Sequence, residues 1–173
     1  MHTLHLLRHA KSSRKEEVED HERGLSRRGR DAARRLAGHL PDALGPLDLV
    51  LVSTAARTRQ TLDLALAGFN PRPRLAIEDG LYLASAERLR ERLRLLAEDE
   101  KNVLVIGHNP GLHELALALA DASAPASQPL VAGKFPTAAR VSFRLAAPWS
   151  ALGRARLVPI AYVTAESLVG GKN

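Results

Sequence analysis

The stretch VLVIGHNPG at residues 103–111 decides the fold class. Its first four residues are all aliphatic, which predicts a strand buried on both faces of a sheet. The glycine and polar residues that follow predict a turn. The apolar spacing beyond it predicts a helix that runs to about residue 122, with Pro110 in its first turn. A buried strand followed at once by a helix is typical of a parallel sheet whose strands are connected by helices.

The same alternation extends from this stretch toward both ends of the chain. Apolar runs predict further strands at residues 3–7, 47–52, 74–77, 139–145 and 157–163. Helical spacing predicts further helices at residues 26–40, 55–67 and 86–97. Residues 122–136 are expected to form a loop, and the tail at residues 170–173 is expected to fray. Strands separated by helices predict an α/β protein, specifically a three-layer α/β/α sandwich with a mostly parallel central sheet.

The composition fits a single globular domain that spans residues 1–173, with 45% apolar and 25% charged residues. The chain contains no cysteine, which excludes disulfides, thiolate metal sites and cysteine-nucleophile phosphatases. No apolar run approaches the roughly 18 residues of a membrane span. Met1 leads directly into a strand-like run rather than into a signal peptide. We therefore expect a soluble, cytoplasmic protein that does not associate with membranes.

The net charge of +6 favours anionic ligands such as nucleic acids, acidic proteins or phosphorylated molecules. The arginines of residues 27–35 lie mostly away from the apolar stripe of their helix, so we expect them to form a solvated face. Aromatic residues make up only 3% of the chain, and single-stranded nucleic acids bind to exposed aromatic rings. We therefore do not expect nucleic acid as a partner.

Charged and imidazole side chains follow three of the predicted strands. Arg8 and His9 come directly after the first strand, Arg57 lies in the first helical turn after the second, and His108 follows the buried strand at residues 103–106. In a parallel sheet, ligands bind beyond the carboxyl ends of the strands. We therefore expect these four side chains to meet at one edge of the sheet.

This set of residues suits phosphoryl transfer. A phosphoryl group in transfer carries negative charge on three equatorial oxygens, and guanidinium groups such as those of Arg8 and Arg57 bind such oxygens in pairs. A neutral imidazole can attack phosphorus and form a covalent phosphohistidine. The nearby arginines would lower the pKa of His9, which helps to keep its ring unprotonated and nucleophilic, and the second imidazole can donate to an equatorial oxygen. Phosphate or another oxyanion is the expected ligand, and this chemistry requires neither a metal ion nor a cofactor.

Other phosphatase chemistries lack their residues in this chain. It has no Gly-Lys-Ser/Thr phosphate-binding loop and no Asp-x-Asp motif for an aspartyl-phosphate mechanism. His108 and His113 are five residues apart, which does not place them on one helix face as a zinc pair would require. A metal site is therefore not expected.

Three motifs around these residues resemble the histidine phosphatase superfamily. They are Arg-His at residues 8–9, Ser-x-x-x-Arg-x-x-Gln-Thr at residues 53–61 and Gly-His-Asn-Pro-Gly at residues 107–111. Within that superfamily, the chain length, the Arg-His-Ala-Lys-Ser start and Phe-Pro-Thr at residues 135–137 are most similar to the small SixA-like phosphohistidine phosphatases. The resemblance covers nearly the whole chain and implies a phosphoglycerate mutase-like fold.

The resemblance also implies roles for individual residues. His9 would be the nucleophile, Arg8 and Arg57 would hold the phosphoryl group, and His108 would complete the pocket. Larger members carry inserted segments that cap the site. The short connections of this chain imply an open pocket that suits a phosphorylated side chain on a protein surface.

The sequence also contains candidates for the general acid and for residues that bind the substrate. Mutase-like relatives carry a glutamate three residues before a tyrosine, and Asp79 stands in that relation to Tyr82, which makes it the candidate acid. An expelled alkoxide needs such an acid, whereas an expelled imidazole can carry the proton on its own ring. Lys11, Ser12 and Asn109 lie next to the two histidines and are candidate substrate-binding residues.

The sequence leaves three functions open. The first is a phosphatase that hydrolyses phosphohistidine on a protein. The second is a phosphomonoesterase of the same superfamily that acts on a small phosphorylated molecule. The third is a module that binds anions or proteins without catalysis. His5 lies inside the first predicted strand and is expected to be a packed histidine without a catalytic role.

Overall fold

The computed structural model describes residues 1–15 and 17–169 of the chain. The tail at residues 170–173, for which fraying was predicted, lies outside the described residues. In the described part, no helix has the length and apolar character needed to cross a membrane.

The described residues contain six strands, which form one sheet. They are β1 (His2–Arg8), β2 (Leu49–Ser53), β3 (Arg74–Glu78), β4 (Asn102–Gly107), β5 (Arg140–Leu145) and β6 (Pro159–Val163). The spatial order is β3-β2-β4-β1-β5-β6. β1, β2, β3 and β4 run parallel to one another, and β5 runs antiparallel to both β1 and β6. The predicted mostly parallel sheet is confirmed, with β5 as its reversed strand.

Helices cover both faces of the sheet. They are α1 (Arg27–Ala37), α2 (Leu40–Leu44), α3 (Ala56–Ala65), α4 (Ala86–Arg94), α5 (Gly111–Leu119) and α6 (Gln128–Val131). Apolar residues of α1, α2 and α3 join one core, and those of α4, α5 and α6 join the other. β2 and β4 are buried on both faces, which explains their continuous aliphatic sequences. The architecture is the predicted three-layer α/β/α sandwich.

Local sequence explains where α1 begins and why it can approach the sheet edge. The side chain of Ser26 accepts a hydrogen bond from the backbone N–H of Gly29, which caps the helix. A Cβ atom on Gly29 would collide with the carbonyl oxygen of Lys11. Glycine is therefore needed here because the helix crosses the segment after β1 at close range.

The prediction of a loop throughout residues 122–136 was wrong. This segment contains a 3₁₀ turn at Pro125–Ser127 followed by helix α6. Proline is tolerated in the first turn of a helix, where its missing N–H would have no partner, so Pro129 does not prevent α6. Leu130 is fully buried and anchors the segment to the core.

Candidate active site

The ends of three adjacent parallel strands position the four predicted site residues. Arg8 is the last residue of β1 and His9 follows it, while His108 follows the last residue of β4. Arg57 lies in the first turn of α3, shortly after β2 ends. The imidazole rings of His9 and His108 have their centroids 5.3 Å apart. All four side chains border one cavity of about 550 Å³.

The charge of this cavity is strongly positive. Five cationic side chains border it, and these are Arg8, Lys11, Arg14, Arg23 and Arg57. Among the described residues, Asp20 is the only acidic one in the lining. A cavity with this balance attracts a phosphoryl group or another oxyanion.

The hydrogen bond of His9 defines which of its ring nitrogens is free. Nδ1 lies 2.7 Å from the carbonyl oxygen of Ala10, and a carbonyl can only accept, so Nδ1 must carry the proton. Nε2 of the neutral ring is then unprotonated, and no described residue forms a hydrogen bond with it. The side chain therefore has a lone pair available for nucleophilic attack.

Burial keeps the ring of His9 in its neutral form. The residue is only 6% exposed. Burial is the largest cause that lowers its pKa from 6.5 to about 4, the hydrogen bond to Ala10 opposes the shift, and the charges of Arg57 and Arg8 lower the pKa further. The predicted effect of the arginines is present, but burial outweighs it.

His108 is held by the end of β2. Its Nε2 lies 2.8 Å from the hydroxyl oxygen of Ser53, and its Nδ1 is buried without a hydrogen-bond partner. Burial is the main cause that lowers its pKa to about 3, and His9 and Arg57 add to the shift. His108 is thus a neutral imidazole with one unsatisfied nitrogen beside His9.

The two guanidinium groups are held by backbone and loop atoms. Arg8 donates from Nη1 to the carbonyl oxygen of Phe135 at 3.2 Å, and Arg57 donates to the carbonyl oxygen of Asp20 at 2.7 Å. Nε of both arginines is buried without a partner. Burial and the charge of Arg57 lower the pKa of Arg8. Unsatisfied donors on two adjacent guanidinium groups are suited to an oxyanion.

Asp20 is a site residue that the sequence did not predict. Its carboxylate accepts hydrogen bonds from Arg57 (3.0 Å), from Arg23 (2.8 Å) and from the hydroxyl of Tyr82. These three donors lower its pKa well below the usual range. The only sequence signal was the three-residue spacing between Asp20 and Arg23, which is common on protein surfaces.

Tyr82 connects this carboxylate to the imidazole pair. Its ring packs edge-on against His108, with centroids 5.6 Å apart, and the guanidinium carbon of Arg57 lies 5.9 Å from its centroid. The predicted acid Asp79, in contrast, is exposed in a 3₁₀ turn at Asp79–Leu81 and does not line the cavity. Its neighbour Glu78 forms an ion pair with Arg92 at 2.7 Å. The structure therefore places neither of these carboxylates in the cavity.

The three predicted substrate-binding residues do line the cavity. Ser12 accepts a hydrogen bond from Arg23, and Lys11 is exposed at the rim. Asn109 donates to the carbonyl oxygen of Phe135 at 2.9 Å, and its own Oδ1 is buried without a partner. The carbonyl of Phe135 therefore holds both Asn109 and Arg8.

Fold and site together define a phosphatase of the phosphoglycerate mutase-like fold. The chain belongs to the histidine phosphatase superfamily, because the model of its branch 1 matches residues 4–82 and relatives match over most of the chain. The uncharacterized protein Rv1276c of Mycobacterium tuberculosis is 36% identical over 146 residues, which cover 83% of this chain and 90% of the relative. The predicted family is confirmed.

Solved structures of similar proteins match this chain over nearly its full length. A protein from Nakamurella multipartitia that is assigned as a phosphohistidine phosphatase SixA is 28% identical, with a TM-score of 0.82 and coverage of 94% of this chain and 95% of that one. A protein from Agrobacterium tumefaciens with the same assignment is 26% identical, with a TM-score of 0.77 and coverage of 94% and 97%. The protein is therefore a histidine-nucleophile phosphatase.

Proposed function

We propose that this phosphatase hydrolyses phosphohistidine on proteins, with His9 as its nucleophile. The proposal rests on the ionised state of the Asp20 carboxylate. Asp20 is the only acidic residue that lines the cavity in the described part of the chain, and three donors hold its carboxylate ionised. The cavity thus offers no protonated carboxyl group to a leaving group, and phosphohistidine is a substrate that needs none.

The first step is the transfer of the phosphoryl group to His9. The lone pair on Nε2 attacks phosphorus, and the bond between phosphorus and the substrate imidazole breaks. When the other nitrogen of that substrate ring carries a proton, the ring leaves as a neutral imidazole. His9 keeps its own proton on Nδ1, which donates a hydrogen bond to the carbonyl oxygen of Ala10. No proton has to move in this step.

The second step is hydrolysis of the phosphoenzyme. Water attacks phosphorus in line, the bond to Nε2 breaks, and His9 regains its neutral form while both protons of the water leave with the phosphate. A phosphate ester would differ in the first step, because its alkoxide would have to gain a proton. General acid catalysis of that kind is worth about 10²- to 10⁴-fold.

The remaining side chains hold the phosphoryl group in both steps. Arg8 and Arg57 bind equatorial oxygens through their guanidinium groups, because both residues border the cavity. Ser53 already accepts a hydrogen bond from the backbone N–H of Ala55, and its own hydroxyl proton can be donated to Nε2 of His108. In that arrangement Nδ1 of His108 carries a proton and donates a hydrogen bond to a third phosphoryl oxygen. Asp20 positions Arg57.

Substrate preference tests this proposal directly. Values of kcat/KM are measured for a phosphohistidine peptide, for phosphoramidate and for a matched phosphoserine peptide, with the wild-type enzyme and with His9→Ala. We expect the wild type to prefer the N-phosphates by at least about 10²-fold. Equal or greater activity on the phosphoserine peptide or on small phosphate esters would instead support a phosphomonoesterase.

A pair of carboxylate variants provides a matched control. Asp20→Asn removes the carboxylate that lines the cavity, and Asp79→Asn removes the exposed one. We expect the ratio of N-phosphate to ester activity to stay unchanged in both variants. A selective loss of ester hydrolysis in Asp79→Asn would show that this residue acts as the acid after all.

A further inference from the structure

A second, larger depression adjoins the phosphoryl cavity. It has a volume of about 1170 Å³ and shares Arg8, Lys11, Asn109, Pro136 and Thr137 with the smaller cavity. The two depressions therefore adjoin at these five residues, which include Pro136 and Thr137. We refer to the larger one as the α1 groove, because helix α1 forms one of its walls.

The wall formed by α1 is cationic. Arg28, Asp31, Ala32 and Arg35 line the groove, and their spacing places them on one face of the helix. Arg28 and Arg35 are exposed, and neither forms an ion pair with a described residue. Asp31 is neutralised by Arg34, with Nη1 and Oδ1 3.2 Å apart.

The opposite wall and the floor are partly apolar. The segment after α6 contributes Lys134 and the buried ring of Phe135, whose centroid lies 6.5 Å from that of Tyr162. Val169, which is 62% exposed, and Glu166 also line the groove. An apolar floor between cationic rims fits a polypeptide segment that carries acidic side chains.

We propose that the α1 groove binds the acidic polypeptide that flanks the phosphorylated histidine of a protein substrate, with Arg28 and Arg35 as determinants of specificity. This inference rests on the proposed function. A small phosphorylated molecule would be confined to the 550 Å³ cavity and would leave the groove empty. Nucleic acid fits the groove less well, because the bases of a single strand stack on exposed aromatic rings. The aromatic residues of the groove are Phe135, which is buried, and Tyr162, which is half-buried.

The carbonyl of Phe135 links the groove to the phosphoryl cavity. It accepts hydrogen bonds from both Arg8 and Asn109, so the floor of the groove also holds one of the two guanidinium groups that face the phosphate. A polypeptide seated on this floor would continue directly into the cavity. The phosphorylated side chain and its flanking segment can therefore bind at the same time.

The test compares two double variants with the same change in charge. Arg28→Gln/Arg35→Gln removes two cations from the groove. Arg27→Gln/Arg88→Gln removes two exposed arginines that do not line it. With a phosphohistidine peptide flanked by acidic residues, we expect the groove variant to raise KM about 5- to 20-fold without changing kcat. The control variant should retain the wild-type KM, and phosphoramidate should be hydrolysed equally by all three proteins.

Binding is measured separately from turnover. This distinguishes a failure of the groove inference from a failure of the proposed function. In the His9→Ala background, which binds without turnover, the affinity for the unphosphorylated acidic peptide should fall in the groove variant and not in the control. Equal losses in both variants, or an oligonucleotide that competes as well as the acidic peptide, would overturn the inference. Absence of N-phosphate turnover by the wild type, with groove-dependent binding intact, would instead overturn the proposed function.

Discussion

Two buried histidines at one strand show what distinguishes a structural imidazole from a functional one. His5 lies inside β1 and His9 directly follows it, and the two are 3% and 6% exposed. Burial is the largest cause that lowers the pKa of each to about 4. Burial and pKa therefore do not separate the two residues.

Their hydrogen bonds do separate them. Nε2 of His5 lies 2.8 Å from the side-chain oxygen of Asn102, whose amide nitrogen already donates to backbone carbonyls. Nε2 must therefore donate, and Nδ1 accepts from the hydroxyl of Ser142 at 2.6 Å. Both nitrogens of His5 are used, whereas His9 has Nε2 free beside a cationic cavity. The free nitrogen, and not the shifted pKa, indicates the nucleophile.

The largest expected effect follows from removing that nitrogen. His9→Ala should reduce kcat/KM for phosphohistidine by about 10⁴-fold or more, because the variant lacks the nitrogen that forms the proposed covalent intermediate. The measurement is rapid-quench trapping of labelled phosphoenzyme, which in the wild type should be labile to acid and stable to base. Label that persists in the variant would show that another residue is the nucleophile.

His108→Ala should have the next largest effect. The variant loses a donor to the phosphoryl oxygens but keeps the nucleophile, so kcat should fall by about 10²- to 10³-fold. Labelled phosphoenzyme should still form, only more slowly. Complete absence of label would mean that His108 has a role beyond charge stabilisation. Loss of the phosphoenzyme would then no longer distinguish the nucleophile His9 from the donor His108.

His5→Ala should change stability and leave the chemistry intact. The substitution leaves Asn102 and Ser142 with unsatisfied polar atoms in the interior and opens a cavity, so the free energy of unfolding should fall by about 2–4 kcal/mol. Urea denaturation measures the free energy of unfolding. Values of kcat/KM are measured under conditions in which the variant is folded. A selective loss of kcat in the folded variant would contradict the structural role of His5.

The sequence predicted most of the fold because the strands are continuous aliphatic runs. The run at residues 103–106 is the centre of β4, which extends only one residue further at each end. Placing Arg8, His9, Arg57 and His108 together required only the rule that ligands bind beyond the ends of parallel strands. Each of these residues lies within a few positions of a strand end.

Asp20 could not be predicted in the same way. It lies between β1 and α1, in a segment without apolar periodicity, and long-range contacts with Arg57 and Tyr82 define its position. Helix α6 was missed because its composition resembles a loop, and burial of Leu130 stabilises it through tertiary contacts. In both cases the deciding interactions join residues that are distant in sequence.

The smallest expected effect is the change in the pH dependence of stability when each histidine is replaced. The folded-state pKa of His5 and of His9 is about 4, below the ordinary 6.5, so the unfolded chain binds more protons between these values. The free energy of unfolding should therefore fall as pH falls from about 6.5 to about 4. Each residue contributes at most about 1.4 kcal/mol per pH unit.

His5→Gln and His9→Gln should flatten this dependence by equal amounts, because the same cause shifts both pKa values. Urea denaturation of each variant and of the wild type at several pH values across that interval measures the slopes. Unequal slopes would show that the charges around His9, and not burial, dominate its pKa. In the wild type, protonation of His9 should lower kcat/KM only as the pH approaches 4, whereas stability should already decline below about 6.5.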